Sequence, residues 1–135
     1  MKIIVDADRI VAALIKQNTT RDILFDEEFE FLTPDHALFE IEEHREILQK
    51  KTKLTTYEFD ILLMLIFEYI TIIAKSTYTN FMEDCKESVK DVNDIPYIAA
   101  CLASEFLGIW LHNQHFREQS KVKVFTNIDL LNLSR

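Results

Sequence analysis

Lys2-Ile3-Ile4-Val5-Asp6-Ala7-Asp8-Arg9-Ile10-Val11 is the stretch from which the rest of the chain can be placed. Lys2 to Val5 is a short β-branched run without polar alternation, the pattern of a strand buried on both faces of a parallel sheet. Asp6-Ala7-Asp8 breaks that run. From Arg9 to Lys16 the apolar residues Ile10, Val11, Ala13, Leu14 and Ile15 then cluster at helical spacing. Strand followed by helix puts Asp6 at a strand's carboxyl end, where open α/β sheets build their sites. Read in isolation, Asp6 serves equally well as a plain strand terminator.

The same alternation continues outward. Asn18-Thr19-Thr20 forms a turn before a short helix near Arg21 to Phe25, and Phe29 to Leu32 reads as a second strand. Thr33-Pro34-Asp35 opens a long helix from His36 to about Lys50, with Leu38, Ile41, Ile47 and Leu48 on its inner side. Thr55 faces Glu58 in a capping box that launches a helix to about Glu68. Tyr69 to Ala74 reads as a strand, and Thr77 to Val89 as a helix. Asp91-Val92-Asn93-Asp94-Ile95-Pro96 supplies turn and cap residues with proline in the first turn, so a helix runs from Asp94 to about Glu105. Gly108 to Leu111 and Val122 to Phe125 give a fourth and fifth strand, and Thr126 or Asn127 caps a last helix through Leu133. Strands alternating with helices throughout imply one α/β domain over residues 1–135, its mainly parallel sheet of about five strands covered on both faces.

Bulk properties narrow the function classes. A chain of 135 residues buries about two thirds of its unfolded surface, so no disulfide or metal staple is required. Cys85 and Cys101 fit neither a CxxC nor a Cys/His ligand spacing, which argues against zinc and for a reducing, intracellular setting. Charge appears at Asp6, too early for a signal peptide, and no apolar run reaches membrane-spanning length, so a cytoplasmic protein is expected. A net charge of −8 repels phosphate backbones in bulk and speaks against a general nucleic-acid coat. It leaves room for a nuclease, because a site that gathers a divalent cation is itself acidic.

Asp6 after the first strand, Glu40 on the helix after the second and Asp94 at the entrance of the helix before the fourth are equivalent places in a parallel sheet. Oxygen donors without His or Cys suit Mg²⁺ or Mn²⁺. The bland alternatives are capping for Asp91 and Asp94, and solvated surface for Glu40, which shares its helix with Glu42, Glu43 and Glu46. His44 and Arg45 are read as ion-pair partners along that helix, such as Glu40 with His44 and Glu42 with Arg45. His112 and His115 are read as surface or substrate-side residues, Cys101 as core, and Trp110 as core or dimer contact. Ile61 to Phe67 is apolar nearly all round, which means deep burial or contact with another subunit.

The order and spacing of four blocks resemble the PIN domain family. These are Ile3-Ile4-Val5-Asp6-Ala7-Asp8, then Leu38-Phe39-Glu40-Ile41-Glu42-Glu43-His44-Arg45, then Asp91 through Asp94 and Pro96 to Ala103, and finally Ile109 through Phe116. The resemblance implies a three-layer α/β/α sandwich and metal-dependent ribonuclease activity, with Asp6, Glu40 and Asp94 matching the metal-binding carboxylates and Glu43 as understudy to Glu40. Asn113 stands where the family usually has Asp, and Leu111 where it often has Thr or Ser. An amide offers one neutral oxygen and removes a charge, so cation affinity is expected to be lower, with Asp8 and Asp91 able to compensate. The resemblance also implies an RNA substrate, a toxin neutralised by an antitoxin, and a homodimer. The competing expectation is a protein that kept the fold, lost catalysis and binds RNA or a protein partner on the same acidic edge.

Overall fold

A computed structural model describes residues 1–15, 19–87, 91–104, 108–111 and 122–134. Five strands, β1 (Lys2–Val5), β2 (Glu30–Pro34), β3 (Ile70–Ile73), β4 (Gly108–Trp110) and β5 (Val124–Phe125), form one sheet in the order β3-β2-β1-β4-β5. Every pairing is parallel. The chain moves outward from β1 through β2 to β3, then crosses back to β4 on the other side of β1. That reversal makes the carboxyl ends of β1 and β4 the topological switch point of the sheet.

The crossover helices flank the sheet. The helices α1 (Ala7–Ile15) and α2 (Thr19–Leu24) join β1 to β2, while α3 (His36–Glu43), α4 (Arg45–Thr52) and α5 (Thr56–Phe67) join β2 to β3. The return to β4 runs through α6 (Lys75–Cys85), a 3-10 turn at Val92–Asp94 and α7 (Ile95–Ser104), and α8 (Asn127–Leu133) follows β5. In α7 the fully buried Ile98, Ala99 and Ala100 bring the helix close against the sheet, and α6 packs on α7. On the other side α1 contacts α5.

The core lies where β1 and its neighbours meet these layers. Ile3, Ile4, Val5, Ile109 and Trp110 are fully buried, and the Trp110 ring lies 5.0 Å from that of Phe31. The indole N–H donates to Asn127 Oδ1 at 2.8 Å, and the Asn127 amide donates to Thr20 Oγ1 at 3.1 Å, so a short polar relay pins α8 and α2 to the sheet. Gly108 is the chain's sole glycine, and a methyl group there would sit 2.5 Å from the Lys123 carbonyl oxygen and 2.6 Å from the Phe125 ring. No helix among the described residues is long and apolar enough to cross a membrane.

Element boundaries depart from the sequence reading in informative places. The helix expected from His36 to Lys50 breaks at His44, whose backbone (φ −106, ψ 16) leaves the helical region. Arg45 accounts for the new direction, since its guanidinium pairs with Glu42 and with Asp60 of α5 and lies 5.0 Å from the Phe59 ring, drawing α4 onto α5. Ile47 is consequently 59% exposed and not on the inner side. Helix α6 begins at Lys75, ahead of Thr77, because Asp35 accepts the Lys75 backbone N–H and caps the helix from a different element. The second strand reaches Pro34, beyond Leu32, and the fourth and fifth are shorter than their apolar runs.

Candidate active site

Asp6 follows β1 directly and continues its ladder, its N–H donating to the Trp110 carbonyl at 3.3 Å. Its side chain then caps α1: Oδ1 accepts the Arg9 backbone N–H at 3.0 Å. Capping moves the helix start to Ala7, two residues before Arg9. The side chain is 7% exposed, and its pKa is pushed up to about 8, first by burial and next by the charge of Asp8. The Arg9 N–H and the Arg9 charge oppose that rise, and Glu40 adds to it. A buried carboxyl crowded by two other acids is unstable as an anion unless a cation joins it.

Glu40 lies on the inner edge of α3 with 27% of its side chain exposed. The Tyr97 hydroxyl, reaching across from α7, donates to its Oε1 at 2.6 Å. His36 Nε2 lies 3.2 Å from that same oxygen, an ion-pair distance without hydrogen-bond alignment, and the His36 ring meets Tyr97 edge-on. Glu40 thus pairs with His36 one turn before it, and the His44 expected in that place is exposed. The Glu40 pKa is raised by burial against the pull of Tyr97 and His36, with Asp8 and Asp91 adding to the rise. In Asp6 and Glu40 alike, a donor tethers one carboxyl oxygen and orients the other.

Asp91 is exposed, and its Oδ1 accepts the Asn93 N–H at 2.9 Å, capping the 3-10 turn. Asp94 ends that turn half-buried, one residue before α7. Leu111 at the end of β4 is 1% exposed and carries no oxygen to the site, while Asn113, His112 and His115 lie outside the described residues. Among the described residues no three of His, Cys, Asp and Glu close around one point as a metal cage. Donor chemistry and charge nevertheless fit a hard divalent cation: the charges of Asp8 and Glu40 bear on Asp6, those of Asp8 and Asp91 bear on Glu40, and all four side chains offer only oxygen. A family model for the PIN domain matches residues 4–127.

The chain belongs to the PIN domain family. Members of this family are generally nucleases and generally depend on a divalent metal. No curated protein matches the sequence. Within this PIN domain, Tyr97 and His36 are the contacts of Glu40 that the acidic pattern did not reveal. Tyr97 had one signal, a polar-tipped aromatic among the small and apolar residues of α7, while nothing local to His36 distinguished it. Cys101 is core, as expected: it is 3% exposed, and burial pushes its thiol pKa up to about 12.

Proposed function

We propose that this PIN domain is an endoribonuclease that hydrolyses RNA phosphodiesters with a bound Mg²⁺ or Mn²⁺. The observation that carries the reading is Asp6: a carboxyl at the switch point of the sheet, with its pKa raised first by burial and then by the charges of Asp8 and Glu40. Asp6 and Glu40 would hold the cation with their untethered oxygens, Asp94 would complete the set, and Asp91 and Asn113 would contribute from the rim. When bound, such a cation lowers the pKa of water and stabilises charge on a phosphoryl oxygen. The chain's own part is positional. The Arg9 N–H fixes the Asp6 carboxylate, and the Tyr97 hydroxyl fixes Glu40. A toxin role under an antitoxin's control, and a homodimer formed through α5, belong to the same proposal.

Incubation with RNA and Mn²⁺, beside Asp6→Asn and Asp94→Asn, tests it. Cleavage that a chelator abolishes and both substitutions reduce by at least about a hundredfold supports the proposal. Cleavage that survives them overturns it. The second reading, a PIN fold that binds without cutting, is favoured by Leu111 and Asn113 in place of oxygen-rich or acidic residues. Calorimetric titration separates the two, since stoichiometric uptake of Mn²⁺ counts against the binding-only reading.

A further inference from the structure

Asp6 and Glu40 each have one carboxyl oxygen engaged by the protein itself. Asp6 Oδ1 accepts the Arg9 backbone N–H at 3.0 Å as the cap of α1. Glu40 Oε1 is engaged more fully. The Tyr97 hydroxyl donates to it at 2.6 Å, and His36 Nε2 stands 3.2 Å from the same atom. Tyr97 belongs to α7 and is 3% exposed, while His36 precedes Glu40 by one turn of α3, so the two reach Oε1 from different elements. Among the described residues His36 Nε2 is buried without a hydrogen-bond partner, and neither a hydrogen bond nor an ion pair reaches Asp6 Oδ2 or Glu40 Oε2.

That arrangement limits what each acid can give a cation. A carboxylate with both oxygens free can close on a cation with both, one of the modes by which Ca²⁺ gathers its about six to eight oxygens. Mg²⁺ is smaller, keeps several of its waters and takes oxygens from one or two carboxylates. With Oε1 occupied from two elements, Glu40 has one oxygen left to offer, and Asp6 another. We propose that Tyr97 and His36 set which cation the site takes: by occupying Glu40 Oε1 they hold Glu40 to one-oxygen coordination and disfavour Ca²⁺ against a smaller, water-retaining cation. Both are positioning residues that act through Glu40. The inference rests on the metal-dependent reading above and adds to it the side chains that discriminate between cations. A tether serving the fold alone would need one donor, whereas here a second polar atom is buried against the same oxygen without being aligned to bond it.

Calorimetric titration of the full chain with Mg²⁺ and with Ca²⁺, each alone and at one pH, tests this apart from cleavage. The variants are Tyr97→Phe, His36→Ala, the two combined, and Tyr78→Phe as control. The Tyr78 hydroxyl also donates to a carboxylate, that of Asp35, from the helix packed on α7, so its loss reports what removing a buried hydroxyl does to the fold alone. Wild type should bind Mg²⁺ at least as tightly as Ca²⁺. Tyr97→Phe should move the ratio of the two dissociation constants about tenfold towards Ca²⁺, and the double variant further. Tyr78→Phe should leave the ratio unchanged even where it lowers the melting temperature. Should circular dichroism show that Tyr97→Phe does not fold, His36→Ala carries the test, since that side chain is 27% exposed; it should move the ratio in the same direction. A wild type that already prefers Ca²⁺, or folded variants that weaken both cations equally or neither, would overturn the proposal. If wild type binds neither cation, the proposal and the metal-dependent reading fall together. If the ratio moves as expected while RNA stays intact with Mg²⁺, the cation selectivity stands and the ribonuclease reading falls.

Discussion

Asp6 does two jobs with one carboxyl group, and they pull in opposite directions. As a cap it accepts the Arg9 N–H, and as a buried anion beside Asp8 and Glu40 it opposes folding. Its folded pKa of about 8 stands above the ordinary 3.8, so the protonated form is the one the fold favours. The stability this contributes is fully present below about pH 4 and is lost as pH rises through about 8. In chelator, Asp6→Asn should therefore melt higher than wild type at pH 8, by on the order of a few kcal/mol, and the advantage should vanish near pH 4. Thermal melts at the two pH values check this, and a pH-independent difference would refute it. Tyr97 is the second decisive side chain. Tyr97→Phe should leave the fold in place while Glu40 loses the donor that orients it, and Mn²⁺ affinity by calorimetry should fall about ten- to a hundredfold. An unchanged affinity would make the hydroxyl structural only.

The elements are held by local signals where those suffice and by distant ones where they do not. Thr55 with Glu58, and Thr126 with Asp129, form complete capping boxes at α5 and α8, as short-range spacing allows. Strand β4 depends on a residue with no side chain. Because the Lys123 carbonyl and the Phe125 ring press on Gly108, Gly108→Ala should cost about 1–3 kcal/mol and lower the urea midpoint, with β5 forced away from β4. An unaltered midpoint would mean that β5 yields freely. The break between α3 and α4 belongs to this scale too: Arg45, held by α5, decides the direction of α4 and thereby leaves Ile47 exposed.

At the scale of the molecule, the sheet's switch point explains why Asp6 and Glu40, distant in sequence, act on one another, and α5 leaves an apolar stripe on the surface. Phe59 and Ile66 of α5 are fully buried, whereas Tyr57, Ile61, Met64 and Leu65 are 74%, 39%, 69% and 47% exposed along one stripe. Full burial inside the domain, one of the two expectations for this helix, does not occur. A second copy covering that stripe would remove it from water, so light scattering should give twice the chain mass, and Met64→Glu should shift the protein to monomer at micromolar concentration. A monomeric wild type would refute the dimer.

By itself the sequence determined the alternation of strands and helices, the Thr55–Glu58 capping box and the position of Asp6 at a strand's end. Periodicity and caps are decided by residues within a few positions of one another, so they can be read along the chain. Only the tertiary structure decided that Asp35 caps a helix 40 residues away, that Tyr97 holds Glu40 across 57 residues, and that α4 turns at His44. Each of these depends on how separate elements pack, and packing sets directions that no single segment encodes. The acids could be named from their places in the sequence, but the burial of Asp6 and the charge that Asp8 and Glu40 bring to bear on it came only with the packing of the elements over the sheet.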